Sequence, residues 1–329
     1  GNEKLYLKQK YDTAALFNIA SRMFTAMTDY DSIDALPDKK GRVKPKMRKQ
    51  NAATLNTLRP NLFNGGIYFI SKQNYQQAYA LLDQYISAAD LPMFKSYNYS
   101  SKDKHLLEAA YWAAYCGYKT HDAKKVLHNT YLALKDKDHH ESMMQYLVAT
   151  YMLEKDTARS VEALKEGFRA YPKSNYFYAH LMDYYSGKAD WKKATELTNE
   201  ALKADSANLT VWLAQSTLLI NTGDYEHSFL IADSLVKRDS TMAEAWLNAG
   251  LAKYNLGVNL DKNSQMLKQK RQQTLRYYKE ALPYLEQYRK LEPQNTDKWA
   301  LPLYTIYLNL NMGKQFDEID KILNGKPKS

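Results

Sequence analysis

DAKKVLHN at 122–129, DTARSVEA at 156–163, DWKKATEL at 190–197 and DYEHSFLI at 224–231 are four versions of one segment. Asp122, Asp156, Asp190 and Asp224 recur at intervals of 34 residues, each just before an apolar helical run. A short carboxylate in that place accepts the orphan N–H bonds of a first helical turn and contributes about 1 kcal/mol. Working outward, 141–174, 175–208 and 209–242 abut with no residue left over, and Ala243 opens a further copy. The fourth position of each unit is Met144, Tyr178, Trp212 or Trp246. The twentieth is Ser160, Ala194 or Ser228, small enough for two helices to approach. Pro172 stands where a helix must begin afresh.

Two helices in 34 residues is the period of the tetratricopeptide repeat. The chain resembles that family in residues as well as spacing, best in Ala243-Glu-Ala-Trp-Leu-Asn-Ala-Gly250 with Gly257, and in Trp191-Lys-Lys-Ala194 with Ala201 and Leu202. The resemblance implies an all-α fold, a right-handed α-α superhelix (TPR solenoid) of about seven helical-hairpin units. Members of this family are binding scaffolds whose ligands differ, so the motif speaks to fold and is nearly silent on function.

The expected organisation is a single solenoid. Its parts are N-terminal helices and a basic loop at 1–58, an early repeat and connection at 59–106, and regular repeats at 107–257. A basic helical insertion at 258–276 and a C-terminal repeat and cap at 277–329 complete it. In a solenoid each unit packs on its neighbours, so 329 residues do not force a second globular core. Apolar residues at 45% and charged residues at 25% are ordinary for a globular chain, and no run approaches the roughly 18 apolar residues of a membrane span. The one cysteine, Cys116, lies among Ala113, Ala114 and Gly117 and reads as a small core residue.

The net charge of +10 is concentrated. Lys39, Lys40, Arg42, Lys44, Lys46, Arg48 and Lys49 fall within 39–50 with no acid. Lys262, Lys268, Lys270, Arg271 and Arg276 face only Asp261 within 258–276, which leaves the repeats close to neutral.

In chain order, Leu16, Ile19, Ala20, Met23, Met27 and Tyr30 predict an amphipathic helix that needs a partner. Asp29, Asp31 and Asp34 close it; they lack the longer, glutamate-terminated ligand set of an EF-hand and read as a helix end, not a metal site. A second helix is expected from about Asn51 with a break or bend near Pro60. Gly65 and Gly66 supply a close helix contact, Asn74 stands in the capping position, and Tyr75, Ala78, Leu81, Leu82 and Tyr85 continue as the second helix of an early repeat. The insertion at 258–276 is poor in Gly and Pro and is expected to prolong both flanking helices.

Tyr111, Tyr115 and Tyr118 share one helical face, while Ala110, Ala114 and Gly117 form a stripe about 100° away. In the family the first helices of successive repeats line a concave groove. By register the resemblance places Glu108, Tyr111, Tyr115, Tyr118, Gln145, Met152, Tyr176, Asp183, Leu213, Asn221, Glu244 and Tyr254 along it. Tyrosine offers a flat apolar face and one hydroxyl, which suits an interface. The same rings could equally pack between helices, and the sequence leaves both readings open.

Catalytic motifs are absent from the sequence. His139-His140-Glu141 has Met144 where a zinc metalloprotease helix needs its second histidine, and Gly187-Lys188 and Gly313-Lys314 lack the remainder of a phosphate loop. No Gly-x-Ser-x-Gly elbow occurs. No cofactor and no metal are expected. The groove positions also lack the Lys and Asn with which some family members clamp a terminal carboxylate.

The expected function is a non-catalytic scaffold that holds a protein or peptide partner in a tyrosine-rich groove. The resemblance is to repeat proteins of the Gram-negative bacterial envelope, so a periplasmic or envelope location is expected, with a signal peptide upstream of Gly1. One alternative is a glycan- or nutrient-binding envelope protein, though the long non-repeat insertion that carries the sugar site there is missing. Another is polyanion or nucleic-acid binding through 39–50 and 258–276, which lack interleaved aromatics for stacking bases.

Overall fold

The computed structural model describes residues 12–262 and 268–324. Among the described residues the fold is all-α, a solenoid of helical hairpins without strands. The chain divides into two compact units, Gly1–Tyr171 and Pro172–Ser329.

In the first unit a lone helix α1 (Thr13–Asp34) precedes α2 (Arg48–Ser71) and α3 (Tyr75–Ser87). A connection of 3-10 turns and the short α4 (Tyr99–Lys102) leads to α5 (Leu106–Lys119), whose return helix is interrupted at Asn129 into α6 (Ala123–His128) and α7 (Thr130–Ala133). The hairpin of α8 (His140–Leu153) and α9 (Thr157–Ala170) completes the unit. The second unit pairs α10 (Asn175–Gly187) with α11 (Trp191–Ala204), and α12 (Leu209–Thr222) with α13 (Tyr225–Arg238). It ends with α14 (Ala243–Lys262) against α15 (Lys268–Leu291), and α16 (Thr296–Asn309) against α17 (Gly313–Asn324). α14 and α15 have 20 and 24 residues, where the regular repeat helices have 13 or 14.

The aspartate ruler is a ruler of caps. Asn74, Asp122, Asp156, Asp190 and Asp224 each accept the N–H of the residue three positions on. Each cap's own N–H donates 2.9 Å to a carbonyl five residues back, as Asp156 does to Tyr151. That bond requires a left-handed residue between the helices: Gln73, His121, Lys155, Ala189 and Gly223 all have φ between +51° and +86°. Only Gly223 adopts it without a Cβ penalty. Ala189→Gly should therefore raise stability by about 0.5–1 kcal/mol and Gly223→Ala lower it by a similar amount. Asp190→Ala and Asp224→Ala should each cost about 0.5–2 kcal/mol. Chemical denaturation followed by helical circular dichroism reads all four, and no loss at either aspartate would contradict the capping role.

Small residues set the depth of the hairpins. A Cβ on Gly117 would come within 2.6 Å of the Val126 backbone nitrogen, and one on Gly66 within 2.4 Å of Leu82 Cγ. Ser216 and Ser228 are fully buried, and the Ser228 hydroxyl donates to the Ser216 carbonyl at 2.9 Å. Trp212 and Trp246 repeat one bond, each indole N–H donating to the carbonyl six residues before it, at 2.9 and 3.0 Å. In the second unit Tyr278, Leu285, Tyr288, Trp299, Leu303, Ile306 and Tyr307 form one buried cluster.

Pro60 does not break its helix; α2 runs on through it to Ser71. Acids in the last turn of α1 and just after it hold the basic loop. Asp31 takes both arms of Arg48, at 2.9 and 3.0 Å, Asp34 accepts the Met47 N–H at 2.9 Å, and Asp38 pairs with Arg42. Arg59, nearly buried, lies between the rings of Tyr85 and Tyr99, 3.7 and 3.8 Å from their centroids, and pairs with Asp103 at 2.6 Å.

Candidate functional site

The three tyrosines of α5 project from one face and meet a fourth from α8. Tyr146 stacks on Tyr118 at 4.5 Å, lies 5.9 Å from the rings of both Tyr111 and Tyr115, and shares a 3.2 Å hydroxyl contact with Tyr111. The small stripe Ala110, Ala114 and Gly117, about 100° round the helix, is buried. Burial and the surrounding tyrosine hydroxyls push the Tyr146 phenol well above its ordinary value, so it remains a neutral donor. Burial, followed by the neighbouring Tyr75, raises Tyr115 in the same way.

The three differ in exposure along the helix. Tyr111 is 5% exposed and stacks on His139 at 4.1 Å, within a core formed from α5 and the turn before α8. Tyr115 is half-buried, with Tyr75 edge-on at 5.9 Å and Trp112 at 5.6 Å. Tyr118 is 36% exposed. It opens a recess of about 410 Å³ bounded by Gly117, Val126, Ala149, Met152 and Leu153, with His121 and Asp122 at its rim. Met152 and Leu153, 42% and 51% exposed, carry apolar surface to solvent at that edge.

Of the other predicted positions in the first unit, Glu108 is half-buried and accepts from the Trp112 indole at 3.3 Å, and Gln145 is half-buried. In the second unit Asp183 and Asn221 are exposed, Leu213 is half-buried, and Tyr176 packs edge-on against His180 at 4.5 Å. Glu244 is engaged by Lys298 at 2.8 Å. Tyr254 stacks on Tyr278 at 5.9 Å and donates to Thr305 at 3.4 Å. The structure thus brings Tyr118 and Met152 to one opening, while Tyr115 lies between Tyr75 and Trp112, and Tyr111, Glu244 and Tyr254 spend their polar atoms or rings within the protein.

Sequence reasoning missed Tyr146 as the hub. Its signal was its place 35 residues after Tyr111, one repeat and one residue along, which brings the two hydroxyls together across neighbouring first helices.

No catalytic constellation forms at the residues singled out for it. His139 pairs with Asp136 at 2.8 Å and His140 with the Tyr171 hydroxyl at 2.8 Å, so the two rings serve different contacts. Cys116 is fully buried, and burial pushes its thiol up to about 12. Among the described residues no cluster of three His, Cys, Asp or Glu could hold a metal, and no helix is long and apolar enough to cross a membrane.

No family model matches the chain, and neither does any curated protein sequence. Similar solved structures include the human IFIT1 dimer with m7Gppp-AAAA, 12% identical with a TM-score of 0.45 over 95% of this chain and 73% of that one. Yeast Tom70 is 13% identical, with a TM-score of 0.44 over 91% of this chain and 59% of that one. The P58(IPK) TPR domain is 12% identical, with a TM-score of 0.33 over 92% and 80%. The fold class rests on the helical hairpins themselves.

Proposed function

We propose that the protein is a non-catalytic scaffold of the tetratricopeptide type. In this reading it binds a protein or peptide partner at the face of its first unit lined by Tyr118, Met152 and Leu153. The observation that carries this reading is the recess between α5, α6 and α8, whose Tyr118, Met152 and Leu153 keep apolar surface in water although neighbouring positions on the same helices are buried. Its lining is mostly apolar, with His121, Asp122 and Thr150 as its polar members, and Tyr146 stacks on the Tyr118 ring. Such a shape accepts one apolar side chain of an extended peptide, with backbone groups left to the polar rim.

The test is panning of a displayed random dodecapeptide library against the whole protein. Selected peptides should share an apolar anchor and lose about 1–2 kcal/mol of affinity to Tyr118→Ala and again to Met152→Ala, with the melting temperature nearly unmoved. Peptides that bind both variants as well as the parent would rule the recess out.

A second reading, binding of an anionic ligand through the basic loop, is favoured by one tertiary feature. Arg48 and Lys49 share a cleft of about 640 Å³ with Lys95 and Tyr97, so an aromatic ring lies beside cations that have none in their own segment. If this cleft is the binding site, affinity for a short polyanion should fall steeply with salt and with neutralisation of Lys49 and Lys95.

A further inference from the structure

α1 has two apolar faces and uses one. Phe17, Ala20, Phe24 and the ion-paired Asp31 are buried against the rest of the first unit. A second row, Leu16, Ile19, Met23, Ala26, Tyr30 and Ile33, advances by alternating steps of three and four residues, the spacing of a coiled-coil seam. Ile19 is 54% exposed, Met23 37%, Tyr30 48% and Ile33 67%; Ala26 is also exposed, and Leu16 is half-buried. At 100° per residue the seam is centred roughly 120° from the buried face, so a helix laid on the seam passes beside α2 without displacing it.

We infer that this seam is occupied by the same seam of a second copy of the protein, the two α1 helices running antiparallel about a two-fold axis that passes between residues 24 and 25. The occupant is chosen by register and charge. In that register each layer pairs a larger with a smaller or branched partner: Leu16 with Ile33, Ile19 with Tyr30, and Met23 with Ala26 of the other copy. The solvent flank of the seam carries Arg22 and Asp29, both exposed. The two-fold sets Arg22 of each copy against Asp29 of the other, so one sequence supplies both halves of two ion pairs. A parallel pair would set Arg22 beside Met27 and lose both. The inner flank, occupied by Ala20 and Met27, lies toward each protomer's own α2, so only the outer flank remains to be read by charge.

A single helical seam is small for an interface, and the dimer should dissociate with a constant of roughly 1–100 µM. Sedimentation velocity on the whole protein across that range should show the mean mass rising toward twice the monomer. Met23→Glu should abolish the rise with helicity unchanged. Arg22→Asp and Asp29→Arg should each weaken dimerisation about tenfold, because each creates two like-charged contacts, and the double variant Arg22→Asp/Asp29→Arg should restore it. With Cys116 buried, Met23→Cys/Ala26→Cys should give a disulfide-linked dimer under mild oxidation. A wild-type protein that stays monomeric throughout would overturn the inference and leave the seam to another segment or partner. A dimer indifferent to Met23→Glu would place the interface elsewhere, and failure of the double charge swap to restore association would refute the antiparallel register.

Discussion

Asp103→Ala should cost about 3–5 kcal/mol, because it strands the buried guanidinium of Arg59. The carboxylate is held by Arg59 at 2.6 Å, by the Tyr85 hydroxyl at 2.8 Å and by the His105 N–H at 2.9 Å. Arg59 is clamped between two tyrosine rings, bonded to the Tyr85 carbonyl at 3.0 Å and only 4% exposed, so little water can replace the lost carboxylate. Arg59→Met combined with Asp103→Leu should recover most of the loss, since removing both charges leaves neither to be buried alone. Urea denaturation of the three variants measures it, and a loss under 1 kcal/mol for Asp103→Ala would mean the pair is solvated.

The same site gives the pH dependence its sign. Burial pushes the Asp103 carboxyl upward, but the Tyr85 hydroxyl, the His105 N–H and Arg59 more than offset that and hold it below the usual carboxylate range. Asp122 and Asp156 are lowered chiefly by the backbone N–H groups they cap, and Asp190 chiefly by the Lys193 side chain. A carboxyl depressed in the folded state contributes stability above its unfolded pKa of about 3.9 and loses it as pH falls through the folded value. Unfolding on acidification should therefore begin below about pH 4, and Asp103→Ala should remove part of that slope.

Tyr111→Ala should cost about 3–5 kcal/mol, while Tyr118→Ala on the same face should cost little. Tyr111 loses a stack on His139 and a hydroxyl partner in Tyr146, in a place too closed for water to replace them. Tyr118 keeps a third of its surface in water already. Thermal melts of both variants separate the two roles. A large loss at Tyr118 would return the whole face to core and remove the recess as a binding site.

Three residues of one type, at one spacing, on one helix thus divide between packing and surface, and nothing in their local sequence distinguishes them. Tyr146, a helix away, touches all three; what distinguishes them is the turn that brings His139 over the first ring and leaves Tyr118 at the open end. The capping aspartates were legible because a cap acts on the three residues that follow it. The left-handed residues before them were not, since His121, Lys155 and Ala189 are no more suited to that conformation than their neighbours; the bond from each cap back to the preceding helix imposes it. Arg59 and Asp103 lie 44 residues apart and carried no shared pattern. The tyrosine missing from the basic loop was supplied by Tyr97, from a segment that the sequence read only as a connection.

By itself the sequence determined the hairpin repeat, its caps and its small-residue contacts, because these follow from periods of 3.6 and 34 residues and from bonds that span a few positions. Tertiary structure alone decided which tyrosines are core and which meet water, which cations are neutralised, and which apolar face of α1 is left uncovered. Those outcomes depend on which helix faces meet across repeats, and a side chain's periodicity states which face it is on but not what that face will touch.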